Sequence, residues 1–285
     1  LITYVPAWLM DAQLEAERIT QPSSTAMRTR LARWAGAARA FGDAAVGLFY
    51  PSACAGCGTE IEAKRSPTSR RLICPDCIEQ LPLLTGPTCR RCGATVPAIS
   101  AATFRERCHR CRKVKLWFDE SVALGEYTGL LREWILAMKH HHGDVLTLAV
   151  ADLVWWRYEA RLTAMSPDVV VPVASHWRRR WEHGTNSAVL MADRLARRLR
   201  VPLASGLLRR NRNTPPQFTL PPSERRGNVR GAFSVNAGYH LNRARVLLVD
   251  DVLTTGSTCS EAARTLKHMG AVHVAVVVAG RTLQH

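Results

Sequence analysis

The stretch Arg245-Val-Leu-Leu-Val-Asp250-Asp251-Val-Leu-Thr254-Thr255-Gly256-Ser257-Thr258 decides the fold. Its apolar half, Arg245–Asp250, reads as a buried strand, and a helix is expected over residues 258–269. A strand that hands over to a helix brings unpaired backbone N–H groups and the positive end of a helix dipole to one point, which favours an anion there. Gly256 removes a side chain where backbone must turn sharply or approach a ligand. Thr254, Thr255, Ser257 and Thr258 add hydroxyls suited to phosphate oxygens. Thr258-Cys-Ser-Glu261 fits a capping box that would fix the helix start. Asp250 and Asp251 stand at the carboxyl end of the strand, where open α/β sheets place their ligands. Two adjacent carboxylates would repel a phosphate they faced, so they suit sugar hydroxyls and an indirectly held Mg²⁺.

Working outward, the flanking segments alternate in the same style. Leu130, Leu131, Trp134, Ile135 and Met138 form a helix face ending at Lys139, and a second helical stretch follows Asp144. Val169-Val-Val-Pro-Val173 is a short buried strand, Asn186–Leu199 is helical with arginines on its outer side, and Val272–Val278 is a strand. Strands separated by helices of this length imply a parallel sheet covered on both faces, an α/β fold. His140-His-His142 invites a metal reading, but three consecutive side chains cannot converge from a helix or strand, so they read as solvated loop residues. The 285-residue chain is 47% apolar, enough for a sizeable core. No apolar run approaches the length of an ordinary membrane span, so stable membrane insertion is not expected.

The N-terminal region is of another kind. Residues 1–26 are expected to be a disordered extension. Leu1–Met10 is apolar but lacks a preceding basic stretch, which makes it a poor signal peptide, and Met27-Arg-Thr-Arg reads as a more ordinary chain start. In residues 27–49, Leu31, Trp34, Ala38, Phe41, Ala45 and Leu48 recur at helical spacing among arginines. Such a basic amphipathic helix can lie on a membrane, and more often packs on its own protein. The formal charge is +16, and residues 173–230 concentrate it, with thirteen arginines against three acids. That excess attracts phosphates, on a small molecule or a nucleic-acid backbone, although arginine also serves as a plain solubilising cation.

Residues 50–115 are cysteine-rich and turn-rich. Cys54/Cys57, Cys74/Cys77, Cys89/Cys92 and Cys108/Cys111 are four Cys-x-x-Cys pairs. Each such turn points two thiolates at one centre, and two turns complete a tetrahedral four-sulfur site. Gly56 and Gly93 lie within or beside the turns, and Gly58 follows the first. Disulfides would require an oxidising compartment, and a redox motif explains one pair but not four. The reading is two structural zinc ions, paired sequentially, with no coordination position left for a catalytic water. In so short a segment the metal supplies most of the folding energy. Cys259 reads as a buried thiol.

The Val246–Thr258 string resembles the phosphoribosyl-diphosphate motif of type I phosphoribosyltransferases, and its coupling to paired-cysteine knuckles resembles the ComF family of competence-associated, GntX-like proteins, over roughly residues 45–283. The chain thus reads as four regions, the extension 1–26 and the helix 27–49 from their own patterns, then 50–115 and 116–285, which the resemblance implies are a double zinc ribbon and a phosphoribosyltransferase-like domain. The resemblance also implies phosphoribosyl diphosphate with Mg²⁺ as ligand, Asp250 and Asp251 on the ribose hydroxyls, and Thr254, Thr255, Gly256, Ser257 and Thr258 on the 5′-phosphate. Val171-Pro-Val173-Ala174-Ser175 resembles the diphosphate loop. The family commonly follows it with Arg-Gly-Phe-Asn-Gln, where this chain has His183-Gly184-Thr-Asn186-Ser187. Thr214–Leu220 with Gln217, then Arg225 and Asn228, resembles a mobile loop over the site. Lys139 sits where the family often has lysine at a helix end, a place where helix capping is the plain alternative.

These readings lead to a cytoplasmic phosphoribosyltransferase-like protein acting on an unidentified nitrogen acceptor. A different class is a single-stranded DNA-handling protein, since Trp177 and Trp181 flank Arg178-Arg-Arg180 and aromatics interleaved with arginine suit unpaired bases. A third is an adaptor whose zinc ribbons bind a partner protein. Metal analysis of the purified chain is expected to find about two zinc ions per molecule, from four ligands per ion; about one, or none, would refute the two-site reading.

Overall fold

The computed structural model describes residues 53–61, 72–97, 108–140, 142–174, 186–212, 220–221 and 224–282. The extension 1–26, the helix expected over 27–49, Ser175, Trp177, Arg178–Arg180, Trp181, His183, Gly184 and Gln217 lie outside the described residues. The chain divides into two compact units, Ile2–Arg70 and Arg71–His285. In the first, the described residues 53–61 form a knuckle in which the Cys54 N–H donates to the Thr59 carbonyl at 2.8 Å and the Gly58 N–H to the Cys54 carbonyl at 2.8 Å.

The second unit is an α/β domain. Its elements in chain order are α1 (Pro75–Glu79), α2 (His109–Lys113), β1 (Glu120–Glu126), α3 (Gly129–Ala137), α4 (Asp144–Ala164), β2 (Val169–Pro172), α5 (Ser187–Leu199), β3 (Leu208–Arg210), α6 (Arg225–Val229), β4 (Phe233–Val235), β5 (Arg245–Leu253), α7 (Ser257–His268) and β6 (His273–Arg281). Four strands pair in the order β1-β6-β5-β2, every pair parallel, while β3 and β4 make a separate antiparallel pair. The reason is in the residues. Val246–Val249 and Val274–Ala279 are buried on both faces, as the central strands of a helix-covered parallel sheet must be. Burying each Val or Leu side chain there contributes roughly 1.5–3 kcal/mol. Among the described residues no helix is long and apolar enough to cross a membrane.

The structure departs from the sequence reading at three places. β1 was not expected, because Glu120-Ser-Val-Ala-Leu-Gly-Glu126 begins and ends with acids, yet its first six residues are buried. β5 does not stop at Asp250. It continues to Leu253, because Val252 and Leu253 remain paired with Gly280 and Arg281 of β6. The helix start is also different: the N-cap of α7 is Gly256, without a side-chain cap, so the Thr258–Glu261 capping box does not form. Glu261 instead accepts a hydrogen bond from the Gly231 N–H at 2.7 Å and pairs with Arg264 at 2.6 Å, which outcompetes the helix's own backbone.

At the amino-terminal ends of β1 and β6, Glu120 is buried beside a histidine and two arginines. His273 lies 3.4 Å away, Arg90 3.2 Å and Arg161 3.7 Å. The hydrogen bond to His273, then the one from Arg90 and the charges of Arg90 and Arg161, hold its carboxyl down at about 2 despite burial. A depressed carboxyl stabilises the fold above its ordinary value, and that contribution disappears as pH falls from about 4.5 toward about 2. Glu120→Gln is therefore expected to remove on the order of 2–3 kcal/mol at neutral pH and to flatten the acid limb of the stability profile. Urea titrations between pH 2 and 7 check this, and parallel profiles for the two proteins would contradict it.

Candidate functional site

Because the four strands are parallel, their carboxyl ends share one edge, and the sequence-derived site residues collect there. β2 pairs with β5 only as far as Pro172↔Val249. The Val173 N–H then donates to the Val249 carbonyl at 2.8 Å, which sets Val173 and Ala174 beside the start of the acid pair. Beyond that point, among the described residues, the strand pairing of β5 is with β6, so Asp250 and Asp251 are carried by a strand with one side no longer paired to β2.

Each carboxylate spends one oxygen on backbone. Asp250 Oδ1 accepts the Asp251 N–H at 2.9 Å, and Asp251 Oδ1 accepts the Val252 N–H at 2.8 Å. The other oxygens face side chains: Cys259 Sγ lies 3.6 Å from Asp250 Oδ2, and Lys139 Nζ lies 2.8 Å from Asp251 Oδ2. Burial, then the neighbouring Asp251 charge, pushes the Asp250 carboxyl well up. Burial acts on Asp251 too, but the Lys139 ammonium and its hydrogen bond outweigh it and hold this carboxyl down. Lys139, half-exposed just beyond α3, is itself pushed up by the Asp251 charge. It is thus an ion-pair partner of the acid pair. Burial, then the Asp250 charge, pushes the Cys259 thiol up, so it is a neutral neighbour rather than a nucleophile.

The turn that follows matches the expected cradle. Gly256 has φ +82°, in the left-handed region, and a Cβ built there would lie 3.3 Å from Leu116 Cδ2 and 3.6 Å from Phe118 Cε1. Thr255 Oγ1 and Ser257 Oγ are 2.8 Å apart, and the Ser257 N–H donates to Thr255 Oγ1 at 3.3 Å. Thr254, Thr255, Ser257 and Thr258 are half-buried, so the hydroxyls are not sealed under other side chains. They stand at the amino end of the 12-residue helix α7, where amide N–H groups and the dipole favour an anion. An acid pair beside a hydroxyl-lined anion cradle suits one ligand that carries both hydroxyls and phosphate.

Two further segments border this region. β3 and β4 pair antiparallel, so the chain between them leaves and returns at one place. Arg225 lies there with its Nε donating to the Leu220 carbonyl at 2.9 Å, and Asn228 sits in α6. The second paired-cysteine set is compact. The sulfurs of Cys89, Cys92, Cys108 and Cys111 lie within 4.8 Å of one another, and none of the nine cysteines is in a disulfide. Hydrogen bonds from Cys111, then Cys92, pull the Cys89 thiol far down, and the bond to Cys89 pushes Cys111 up. Four buried sulfurs gathered this closely fit a dication. Gly93, at φ +68°, donates its N–H to the Cys89 carbonyl at 2.9 Å and closes the first knuckle of the set.

Sequence reading missed Arg281. It is 1% exposed and hydrogen-bonds the carbonyls of Cys92, Leu253, Thr254 and Thr282. The signal was present, since a charged residue ending the wholly apolar run Val274–Gly280 must find buried partners.

Comparison with known proteins gives the family. Residues 141–284 match the phosphoribosyl transferase domain and residues 45–112 the double zinc ribbon domain, the latter spanning all eight paired cysteines. The chain is 30% identical over 201 residues to the DNA utilization protein YhgH of Escherichia coli, covering 68% of this chain and 84% of that protein. It is 29% identical over 208 residues to competence protein F of Haemophilus influenzae, covering 72% and 88%. The chain belongs to the ComF family. Among solved structures, it aligns with the allosteric regulatory enzyme of purine biosynthesis at a TM-score of 0.33 and 24% identity, over 52% of this chain and 30% of that one. The double zinc ribbon of this ComF-family chain carries all eight paired cysteines, residue types that suit zinc.

Lys139→Met removes the cation paired with Asp251 and leaves its acidic neighbour, so the carboxyl that is held down is expected to titrate upward. Carboxyl carbon NMR of the pair across pH checks this, and an unchanged titration would show that Lys139 does not set it.

Proposed function

We propose that this ComF-family chain binds phosphoribosyl diphosphate with Mg²⁺ at the carboxyl edge of the sheet and transfers the phosphoribosyl group to a nitrogen acceptor. The observation that carries the reading is the continuity of the acid pair on β5 with the Gly256 turn and the amino end of α7. In this reading the first-turn amides and the hydroxyls of Thr254, Thr255, Ser257 and Thr258 hold the 5′-phosphate. Asp250 and Asp251 accept hydrogen bonds from the ribose hydroxyls, and Lys139 moves from Asp251 toward phosphate oxygens as the ligand arrives. Asp250 and Asp251 would hold Mg²⁺ through water, where it neutralises charge on the diphosphate. Val173, Ala174 and Ser175 line the diphosphate end.

The chemistry is a displacement at C1 of the ribose. The bond from C1 to the diphosphate oxygen breaks with its electron pair, positive charge builds on the ring, and a nitrogen lone pair takes C1 while its proton passes to water. The protein's share is positioning and charge stabilisation. The segment between β3 and β4, with Gln217, Arg225 and Asn228, acts as a lid that excludes water. The reducing cytoplasm is the compartment that keeps the paired cysteines available as zinc ligands.

A second reading has its own support. Two relatives are named for competence and DNA utilization, and Arg209, Arg212, Arg226 and Arg230 are exposed on the β3–β4 pair and around α6. In that reading the chain handles single-stranded DNA and uses the sugar-phosphate site as a sensor or anchor.

Calorimetric titration of the zinc-loaded chain with phosphoribosyl diphosphate and Mg²⁺ tests the first reading. Saturable one-to-one binding is expected, weakened at least about a hundredfold, or roughly 2.7 kcal/mol, by Asp250→Asn with Asp251→Asn. Binding that persists unchanged in the double variant would overturn the site assignment. Steeply salt-dependent DNA binding that ignores those two substitutions would favour the second reading.

A further inference from the structure

The candidate turn is tied by two routes to the second four-cysteine set. The first runs through one side chain. The guanidinium of Arg281, at the end of β6, donates from Nε to the Cys92 carbonyl at 2.8 Å. From Nη1 it donates to the carbonyls of Leu253 at 2.6 Å and Thr282 at 2.9 Å, and also to that of Thr254. Cys92 is one of the four clustered sulfurs, and Leu253 and Thr254 begin the turn that the proposed function assigns to the 5′-phosphate. A guanidinium is a rigid planar fork of donors, so it fixes the carbonyls it bonds relative to one another. It is also buried, where losing a carbonyl partner of a charged group is costly.

The second route runs through the backbone that follows the last knuckle. Arg91, between Cys89 and Cys92, donates from Nη2 to the Leu116 carbonyl at 2.5 Å. Leu116 and Phe118 are the two side chains closest to the position of a Cβ on Gly256, and the Trp117 N–H donates to Ser260 Oγ at 3.1 Å in the first turn of α7. The knuckle itself is docked on β1, where the Ser121 N–H and hydroxyl reach the carbonyls of Arg90 and Arg91 at 2.9 Å each. Metal bound in this set would hold the Cys89–Cys92 loop in the shape that presents the Cys92 carbonyl to Arg281 and Arg91 to Leu116.

We propose that Arg281 is a positioning residue that couples the Cys89, Cys92, Cys108 and Cys111 metal site to the Thr254–Thr258 turn, so that the turn keeps its ligand-binding shape only while that site is filled. The inference rests on the sugar-phosphate reading for its functional meaning, and on geometry alone for the coupling. Loss of the ion by chelation would then disable the phosphate site without touching any residue that contacts the ligand.

The test compares the zinc-loaded full chain with Arg281→Lys and Cys89→Ser. Lysine keeps a charge but cannot span three segments with a planar fork, and Cys89→Ser removes a ligand of the second ion only. Amide hydrogen exchange across residues 253–260 is expected to rise about tenfold in both, while α5 keeps wild-type protection. Phosphoribosyl diphosphate with Mg²⁺ is expected to bind each variant about tenfold more weakly, although Asp250, Asp251 and the turn are intact. Wild-type protection of the turn in Arg281→Lys overturns the coupling, as does a uniform rise over the whole domain. Should Cys89→Ser fail to fold, Arg281→Lys with both ions present decides the matter alone. If the wild-type chain binds no phosphoribosyl diphosphate, the sugar-phosphate reading fails, while the exchange measurement still decides the coupling.

Discussion

The ladder between β5 and β6 runs further than the ladder between β5 and β2, and the candidate site depends on that difference. β2 lets go after Val249, while β6 continues to hold β5 through Leu253. Asp250 and Asp251 therefore have the rigidity of a paired strand on one side and lie past the end of β2 on the other. Had the strand ended at Asp250, the two carboxylates would ride on a loop, and ordering them around a ligand would cost conformational entropy at the moment of binding. The ladder also sets where the glycine turn falls, and so where the first amides of α7 point.

Electrostatics add a second constraint. Two carboxyl groups held side by side cannot both ionise freely, and here the conflict is divided unequally, with Asp250 pushed up and Asp251 held down by Lys139. Such a pair is poised to gain from a partner that donates hydrogen bonds or positive charge. Sugar hydroxyls and a hydrated cation do both, whereas a bare phosphate would meet repulsion from the same oxygens. In the proposed function the neighbouring hydroxyl-lined turn supplies the opposite preference, so the two halves of the site would take the two ends of one sugar phosphate.

Much of this was legible in the sequence because it rests on local patterns. The apolar run Val246–Val249, the glycine with its hydroxyl neighbours and the four Cys-x-x-Cys pairs each state their chemistry within a few residues. What was not legible depended on distant partners. Aspartate is disfavoured in strands, so nothing local showed that β5 runs through two of them; the pairing with β6 overrides the preference. Glu120 and Glu126 disguised β1, since a buried glutamate makes sense only once Arg90, Arg161 and His273 are brought to it. The capping box failed for the same reason, because Gly231 lies 30 residues away and took Glu261. Lys139 showed a helix-end lysine but not its partner, and Arg281 showed only that a charge closes an apolar run.

The most direct test of the central claim is a crystal structure of the zinc-loaded chain grown with phosphoribosyl diphosphate and Mg²⁺. The account expects the 5′-phosphate against the backbone amides of residues 256–258, the ribose hydroxyls on Asp250 and Asp251, and Lys139 no longer paired with Asp251. A ligand seated elsewhere, with the acid pair and Lys139 still joined, would contradict it.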